Sequence, residues 1–276
     1  MIARGPVDRN NSIFSLLQIS TILSMSRSGG RIILGMEDAY KGNVDSYYDT
    51  SFSYEGNFMI YVVPDTCMIF GYVNETEAIH HICDEVFNLI FTSRFLTGLM
   101  LDVVHNEFEY TLNYKTNEIL EKFVEYYKQV NVLGESEAVL QRIRREEPRL
   151  ATLINFFLKY VDFTNIDDLI SILVGMTNAR EILRERKMEL SSRLQRRDIA
   201  DNPEIQRMMS GLEYIGISDQ NDRSILAKAA YLNQKIPTVL ITMDGVILEK
   251  RSLIIPIVND LSILWPPEFL DIYSKM

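Results

Sequence analysis

The strongest constraint on the fold comes from short segments that are apolar on both faces. Residues 58–63 read FMIYVV, and residues 238–244 read TVLITMD. Strands of this kind are typical of the buried centre of a parallel sheet, whereas one-sided sheets alternate apolar and polar residues. Parallel strands need crossover connections, and predicted strands alternate with helical patterns on both sides of a long helical block. The sequence therefore predicts an α/β fold with a central, mostly parallel sheet.

Two further strands are predicted, RFLTGLML at 94–101 and EYIGIS at 213–218. Apolar residues at helical spacing predict a helix over about 75–91. Residues 113–207 consist of long amphipathic segments. Their pattern predicts helices throughout that block, including QRR at 195–197. The predicted organisation is an N-terminal appendage (1–57), a first core part (58–112), a helical insertion (113–207) and a second core part (208–276). Within the appendage we predict a helix at 12–23, a strand at 31–37 and a loop at 40–57.

Composition narrows the classes of function. The net charge of −10 disfavours a non-specific nucleic-acid binder, because phosphates repel an acidic surface. Cys67 and Cys83 lack metal-type spacing and are expected to be free thiols in a reducing compartment. No segment approaches eighteen uninterrupted apolar residues, so no membrane span is expected. We therefore expect a cytoplasmic protein.

Four acidic residues follow predicted strands or open the helices after them: Asp65, Glu107, Asp222 and Asp244. In an open α/β sheet, the carboxyl ends of the strands line the ligand crevice, so these side chains should converge. Oxygen ligands favour Mg²⁺ or Mn²⁺ over zinc. The alternative is local: Asp65 and Asp222 could cap helices, and Asp244 before Gly245 is an ordinary turn pair.

The strings that contain these acids resemble the motifs of the PIN-domain nucleases. VVPDTCMI is similar to the family's opening motif, LMLDVVHNEFEY to its second, GISDQNDRSILAKAAYLN to its third and TVLITMDGVI to its fourth. The tail ILWPPEFLDIY resembles the family's closing segment. The resemblance covers about 58–112 and 208–276, and it leaves the insertion and the appendage outside.

The resemblance implies a three-layer PIN-like fold and a metal-dependent endoribonuclease, in which metal-activated water hydrolyses RNA phosphodiester bonds. It implies that Asp65, Glu107, Asp222 and Asp244 hold Mg²⁺ or Mn²⁺ and form the catalytic cluster. Asp102 and Glu109 compete with Glu107 for the second position. Thr66 and Thr242 would orient the cluster through their hydroxyl groups, and Asp219 is an auxiliary acid or, preferably, a loop residue. The resemblance also leads us to expect a homodimer.

The alternative function is a catalytically inactive PIN-like binding or scaffold module that acts through its helical insertion, where a protein partner would dock. Basic residues of the insertion help to decide between a nuclease and a binding module. Those that could contact RNA beside the acidic cluster are Arg186, Lys187, Arg193, Arg196 and Arg197. The alternative is a solvated helix face with ion pairs three or four residues apart, for example between Glu181 and Arg184.

Overall fold

The computed structural model describes residues 59–130, 136–163 and 169–276, and among these the side chains of 128–130 are excepted. The predicted appendage at 1–57, with its helix, strand and loop, lies outside the described residues. Residues 59–275 form one compact unit.

Within the described residues, the sheet has five strands, and every pairing in it is parallel. The strands are β1 (Ile60–Pro64), β2 (Leu96–Leu101), β3 (Gln195–Arg197), β4 (Thr238–Ile241) and β5 (Ser262–Leu264). Their order across the sheet is β3-β2-β1-β4-β5. The predicted α/β class with a mostly parallel sheet is confirmed.

Helices connect the strands. They are α1 (Thr66–Val73), α2 (His80–Thr92), α3 (Asp102–Val130), α4 (Ser136–Glu146), α5 (Ala151–Tyr160), α6 (Leu169–Arg193), α7 (Pro203–Tyr214), α8 (Gln220–Asn233), α9 (Gly245–Glu249), α10 (Arg251–Ile254) and α11 (Pro266–Tyr273). A short 3₁₀ turn, Pro148–Leu150, precedes α5.

The central strands are buried along most of their length, as their apolar pattern predicts. Helix α2 packs on β2, and α8 packs on β4. The β1-to-β2 connection and the β3-to-β4 connection run in opposite directions across the sheet. Because parallel crossovers are almost always right-handed, these two connections place helices on opposite faces.

Two predicted elements are wrong. The helix predicted to run through residue 197 ends at Arg193, and residues 195–197 form β3, which pairs with β2 at the sheet edge. All three residues of β3 are exposed, so no apolar alternation marks the strand. The predicted strand EYIGIS is instead the last turn of α7 and a turn at Gly216. The amide of Ile217 donates to the carbonyl of Leu212 (3.0 Å), and Gly216 has φ +84°, which closes the helix end.

The predicted insertion shares secondary-structure elements with the predicted core. Helix α3 runs unbroken through the predicted boundary at 112–113, and β3 of the predicted insertion belongs to the sheet. Helix α6 packs on both α1 and α3. In the chain as described, no helix combines the length and the apolar character needed to cross a membrane.

Candidate functional site

The candidate site lies where the strand order reverses. From β1 the chain crosses to β2 on one side, and from β4 it crosses to β5 on the other. Ligands of open α/β sheets bind in the crevice at such a switch point, outside the carboxyl ends of the strands. A cavity of about 350 Å³ lies here, and it is lined by all four predicted acids, Asp65, Glu107, Asp222 and Asp244.

Asp65 follows directly on β1 and is only 4% exposed. Its Oδ1 accepts from the Thr66 amide (2.6 Å), so it caps α1, and its Oδ2 accepts from the Thr242 hydroxyl (2.6 Å). The Cys67 thiol donates to the same Oδ2 at 3.3 Å. Burial raises the pKa of Asp65, and the hydrogen bond from Thr242 opposes the rise. Among the described residues, no cation forms an ion pair with this carboxylate.

Glu107 enters the cavity from the second turn of α3. Its Oε2 accepts from the Thr66 hydroxyl at 2.5 Å, so Thr66 connects the first two acidic residues. Burial raises the pKa of Glu107, the bond from Thr66 lowers it, and the charge of Asp65 raises it further. Thr66 and Thr242 thus make the hydroxyl contacts that the resemblance implied.

Asp244 caps α9, because its Oδ1 accepts from the Ile247 amide at 2.8 Å. Asp219 caps α8 through the amides of Asn221 (2.7 Å) and Asp222 (3.3 Å). Asp219 is exposed and does not line the cavity, so it has the role of a helix cap.

Asp222 lies in the first turn of α8, which Asp219 caps, and its own carboxylate caps no helix among the described residues. Burial, followed by the charges of Asp65, Asp219, Asp244 and Glu107, raises its pKa to about 7. The four predicted acids therefore line one cavity and lie close enough for their charges to affect one another.

The two competitors of Glu107 are engaged elsewhere. Asp102 pairs with Arg196 (2.5 Å), and Glu109 pairs with Arg184 and with Lys187 (each 3.1 Å). Neither residue lines the cavity. The geometry therefore favours Glu107 for the second position.

The four carboxylates share the cavity without forming a closed ligand set. Across the described ranges, no three side chains of His, Cys, Asp or Glu stand in an arrangement that could hold a metal ion. The protein itself engages oxygen atoms of Asp65, Glu107 and Asp244 through the hydrogen bonds above. The donor chemistry, oxygen throughout, nevertheless suits a hard divalent cation such as Mg²⁺ or Mn²⁺.

The cavity is also lined by residues of the helical block, although not by the basic residues of this block that the sequence analysis placed beside the acidic cluster. Lys115 of α3, Arg149 of the 3₁₀ turn, Thr152 of α5 and Leu183 of α6 all line it. The spacing of Glu107 and Lys115, eight residues apart on one helix, would have placed them on one face. Arg149 ends the mixed-charge segment QRIRREEPR at 141–149, which resembles the basic stretch at 180–197, but the pattern does not distinguish it from the other arginines there.

Glu77, in the loop before α2, was also missed. It lines the same cavity, and burial raises its pKa, while a hydrogen bond from Thr152 and the charge of Lys115 oppose the rise.

The five basic residues expected to contact RNA do not line the cavity. Lys187 is only 1% exposed and lies between His105 (2.7 Å) and Glu109, so the prediction that it meets a phosphate is wrong. Arg186 donates to the carbonyl of Val73 and to the Tyr160 hydroxyl.

The guanidinium of Arg193 stacks over the Phe91 ring at 3.7 Å. Arg196 and Arg197 are exposed on β3, at the sheet edge. The Glu181–Arg184 pair (2.7 Å) is the kind of contact that the ion-pair alternative expected.

Fold and site together define an α/β protein with an acidic cavity at the switch point of a parallel sheet. No protein-family model matches the chain, and comparison with curated proteins and with solved structures yields no match.

Proposed function

We propose that this chain is a PIN-like, Mg²⁺- or Mn²⁺-dependent endoribonuclease with a helical insertion. The observation that carries the proposal is that four carboxylates, from four separate segments, line one cavity at the carboxyl edge of the sheet. An aspartate that only caps a helix needs only local partners. Four carboxylates that share one cavity repel one another, which costs free energy unless a cation or a substrate binds among them.

The residues that would hold the metal are Asp65, Glu107, Asp222 and Asp244. A bound divalent ion supplies charge stabilisation for a phosphate and activates water for its attack. The chain's own contribution is position: Thr242 and the Thr66 amide fix Asp65 at the end of β1, and the Thr66 hydroxyl orients Glu107.

The test is cleavage of RNA with Mn²⁺ by the native chain and by Asp65→Asn and Asp244→Asn. Removal of a group that only orients a metal ligand costs roughly 10–100-fold, so loss of a ligand should cost at least about 100-fold. Asp198→Asn, at an exposed position outside the cavity, is the matched control. Thermal melts establish that each variant is folded. Equal cleavage by all four proteins would refute the roles of Asp65 and Asp244.

The second candidate is the inactive binding or scaffold module. It is favoured by the finding that, in the described part of the chain, no three potential ligands stand ready to hold a metal. Calorimetric titration with Mn²⁺ separates the two: saturable binding that Asp65→Asn weakens supports the nuclease, and no binding at millimolar metal supports the scaffold.

A further inference from the structure

One face of α3 leads out of the acidic cluster. Glu107, Thr111 and Lys115 follow each other at four-residue spacing, and all three line the cavity. At 1.5 Å per residue, Lys115 lies about 12 Å along the helix axis from Glu107. The backbone positions of Glu107 and Lys115 are therefore far enough apart for two successive groups of one ligand to face them.

Lys115 is a cation without a close carboxylate in the described residues. Its Nζ lies 5.8 Å from the centre of the Phe70 ring, and no ion pair or hydrogen bond joins it to another described side chain. Glu77 interacts with it through charge but forms no salt bridge with it. Arg149 adds a second cation to this end of the cavity, although Glu118 and Glu147 already pair with it.

Beside these cations α3 exposes two aromatic rings. Tyr110 is 69% exposed and Tyr114 is 52% exposed, although large aromatic side chains are usually more buried. The two rings are stacked, with centroids 6.1 Å apart and planes 16° from parallel. Tyr114 precedes Lys115 on α3 and raises the pKa of the Arg149 guanidinium, and both Lys115 and Arg149 line the cavity, so the pair adjoins it. Cations beside exposed aromatic rings are the combination that binds single-stranded nucleic acid, since the cations meet phosphates and the rings stack on bases.

The volume of the cavity limits what can enter. About 350 Å³ is near the lower end of ligand pockets, roughly 300–1,000 Å³, and it accommodates a single nucleotide better than a duplex. Thr152, Leu153 and Leu183 wall it from the side of the helical block.

We propose that α3 carries a track for single-stranded nucleic acid, in which Lys115 binds a phosphate neighbouring the one at the acidic cluster and the Tyr110–Tyr114 pair stacks on a base. This inference rests on the proposed function for the acidic end of the track, and it adds the substrate class: an unpaired strand with at least two phosphates. The helical block then selects the substrate by excluding duplexes.

The test measures binding of a fluorescein-labelled decauridylate and of decathymidylate in an Asp65→Asn background, which prevents cleavage. Lys115→Met should weaken binding about tenfold and reduce the slope of log affinity against log salt by about 1. The double variant Tyr110→Ala/Tyr114→Ala should weaken it about tenfold or more. A hairpin with a fully paired stem should bind at least about tenfold more weakly than the decamers, because its stem cannot enter the cavity.

Matched controls carry the same substitutions elsewhere: Tyr214→Ala, at a ring 92% exposed on α7, and Lys235→Met, after α8. Both should bind like the parent. The track is overturned if the parent does not bind either decamer, if the α3 variants bind within about twofold of it, or if the controls lose as much. A preference for decauridylate assigns RNA as the natural strand, and a preference for decathymidylate assigns DNA.

Hydrolysis of bis(p-nitrophenyl) phosphate by the native chain with Mn²⁺ reports the proposed chemistry separately. If hydrolysis is absent while the binding results are as expected, the nuclease fails and the track stands. If hydrolysis occurs but the α3 variants bind like the parent, the track fails and the nuclease stands.

Discussion

Asp222 should make the native protein less stable as the pH rises, and Asp222→Asn should remove that loss. The pKa of this carboxyl is raised from 3.8 to about 7, first by burial and then by the charges of the surrounding acids. Between these values the folded chain holds a proton that the unfolded chain has released. Stability therefore falls as pH rises through this window, and the full penalty is present above about pH 7.

The magnitude follows from the width of the window. At about 1.36 kcal/mol per pH unit, the interval from pH 5 to about 7 corresponds to at most about 3 kcal/mol. Asp222 is partly exposed, so solvent screening reduces the expected effect to about 1.5 kcal/mol. For a unit of this size, that is a difference of about 3–6 °C in Tm.

The assay is urea and thermal unfolding of the native chain and Asp222→Asn at pH 5 and pH 8, with EDTA present. The free energy of unfolding of the variant, relative to that of the native chain, should be about 1.5 kcal/mol higher at pH 8 than at pH 5. Comparison of the two chains at each pH cancels the titration of groups they share. Asp198→Asn, exposed and outside the cavity, should show no such change. A variant-minus-native difference that is equal at both pH values, or larger at pH 5, would refute the electrostatic reasoning.

Two further predictions concern buried polar contacts. Thr242→Val removes the hydroxyl that donates to Asp65 and accepts from the Asp244 amide, so urea unfolding should show a loss of about 2 kcal/mol. Thr238→Val, at the first residue of β4, which ends just before Thr242, removes a bond to the carbonyl of Ile236 and should cost about 1 kcal/mol; equal losses would contradict a special role for the carboxylate contact. Glu109→Gln leaves buried Lys187 without its carboxylate and should cost about 2 kcal/mol at pH 7, more than Lys187→Met, since Glu109 keeps Arg184. Because burial lowers the pKa of Lys187, the loss in Glu109→Gln should shrink at pH 9.5; a loss that does not change with pH would count against a charged Lys187.

The central strands could be predicted from the sequence because buried strands consist almost entirely of apolar residues. In β1, β2 and β4 nearly every side chain is apolar, and the acids next to these strands follow from where a buried strand must end. Strand β3 has no such apolar pattern, since its three residues are polar and exposed and pair with β2 along the main chain. EYIGIS shows the converse error, because its apolar residues belong to a helix end that Gly216 terminates.

The part of the cavity lined by the helical block could not be predicted, because it depends on how separate segments pack against each other. Lys187 and Lys115 both look like solvated lysines in the sequence. The packing of α6 on α3 buries the first beside Glu109, while the second faces the cavity. Only the distances between helices distinguish a structural ion pair from a cation that is open to a ligand.

Helix capping does not explain the position of Asp222 in the acidic cavity. Asp65, Asp219 and Asp244 each cap a helix, and a cap alone would justify each of them, at about 1 kcal/mol. Asp222 caps no helix among the described residues, and no described residue forms an ion pair with it. Its place in the first turn of α8 contributes a few tenths of a kcal/mol through the helix dipole, less than the cost of burial among four like charges. Residues that are locally unfavourable are most often retained where function requires them, so the case for ligand chemistry in this cavity rests more on Asp222 than on the three acids whose capping is already explained.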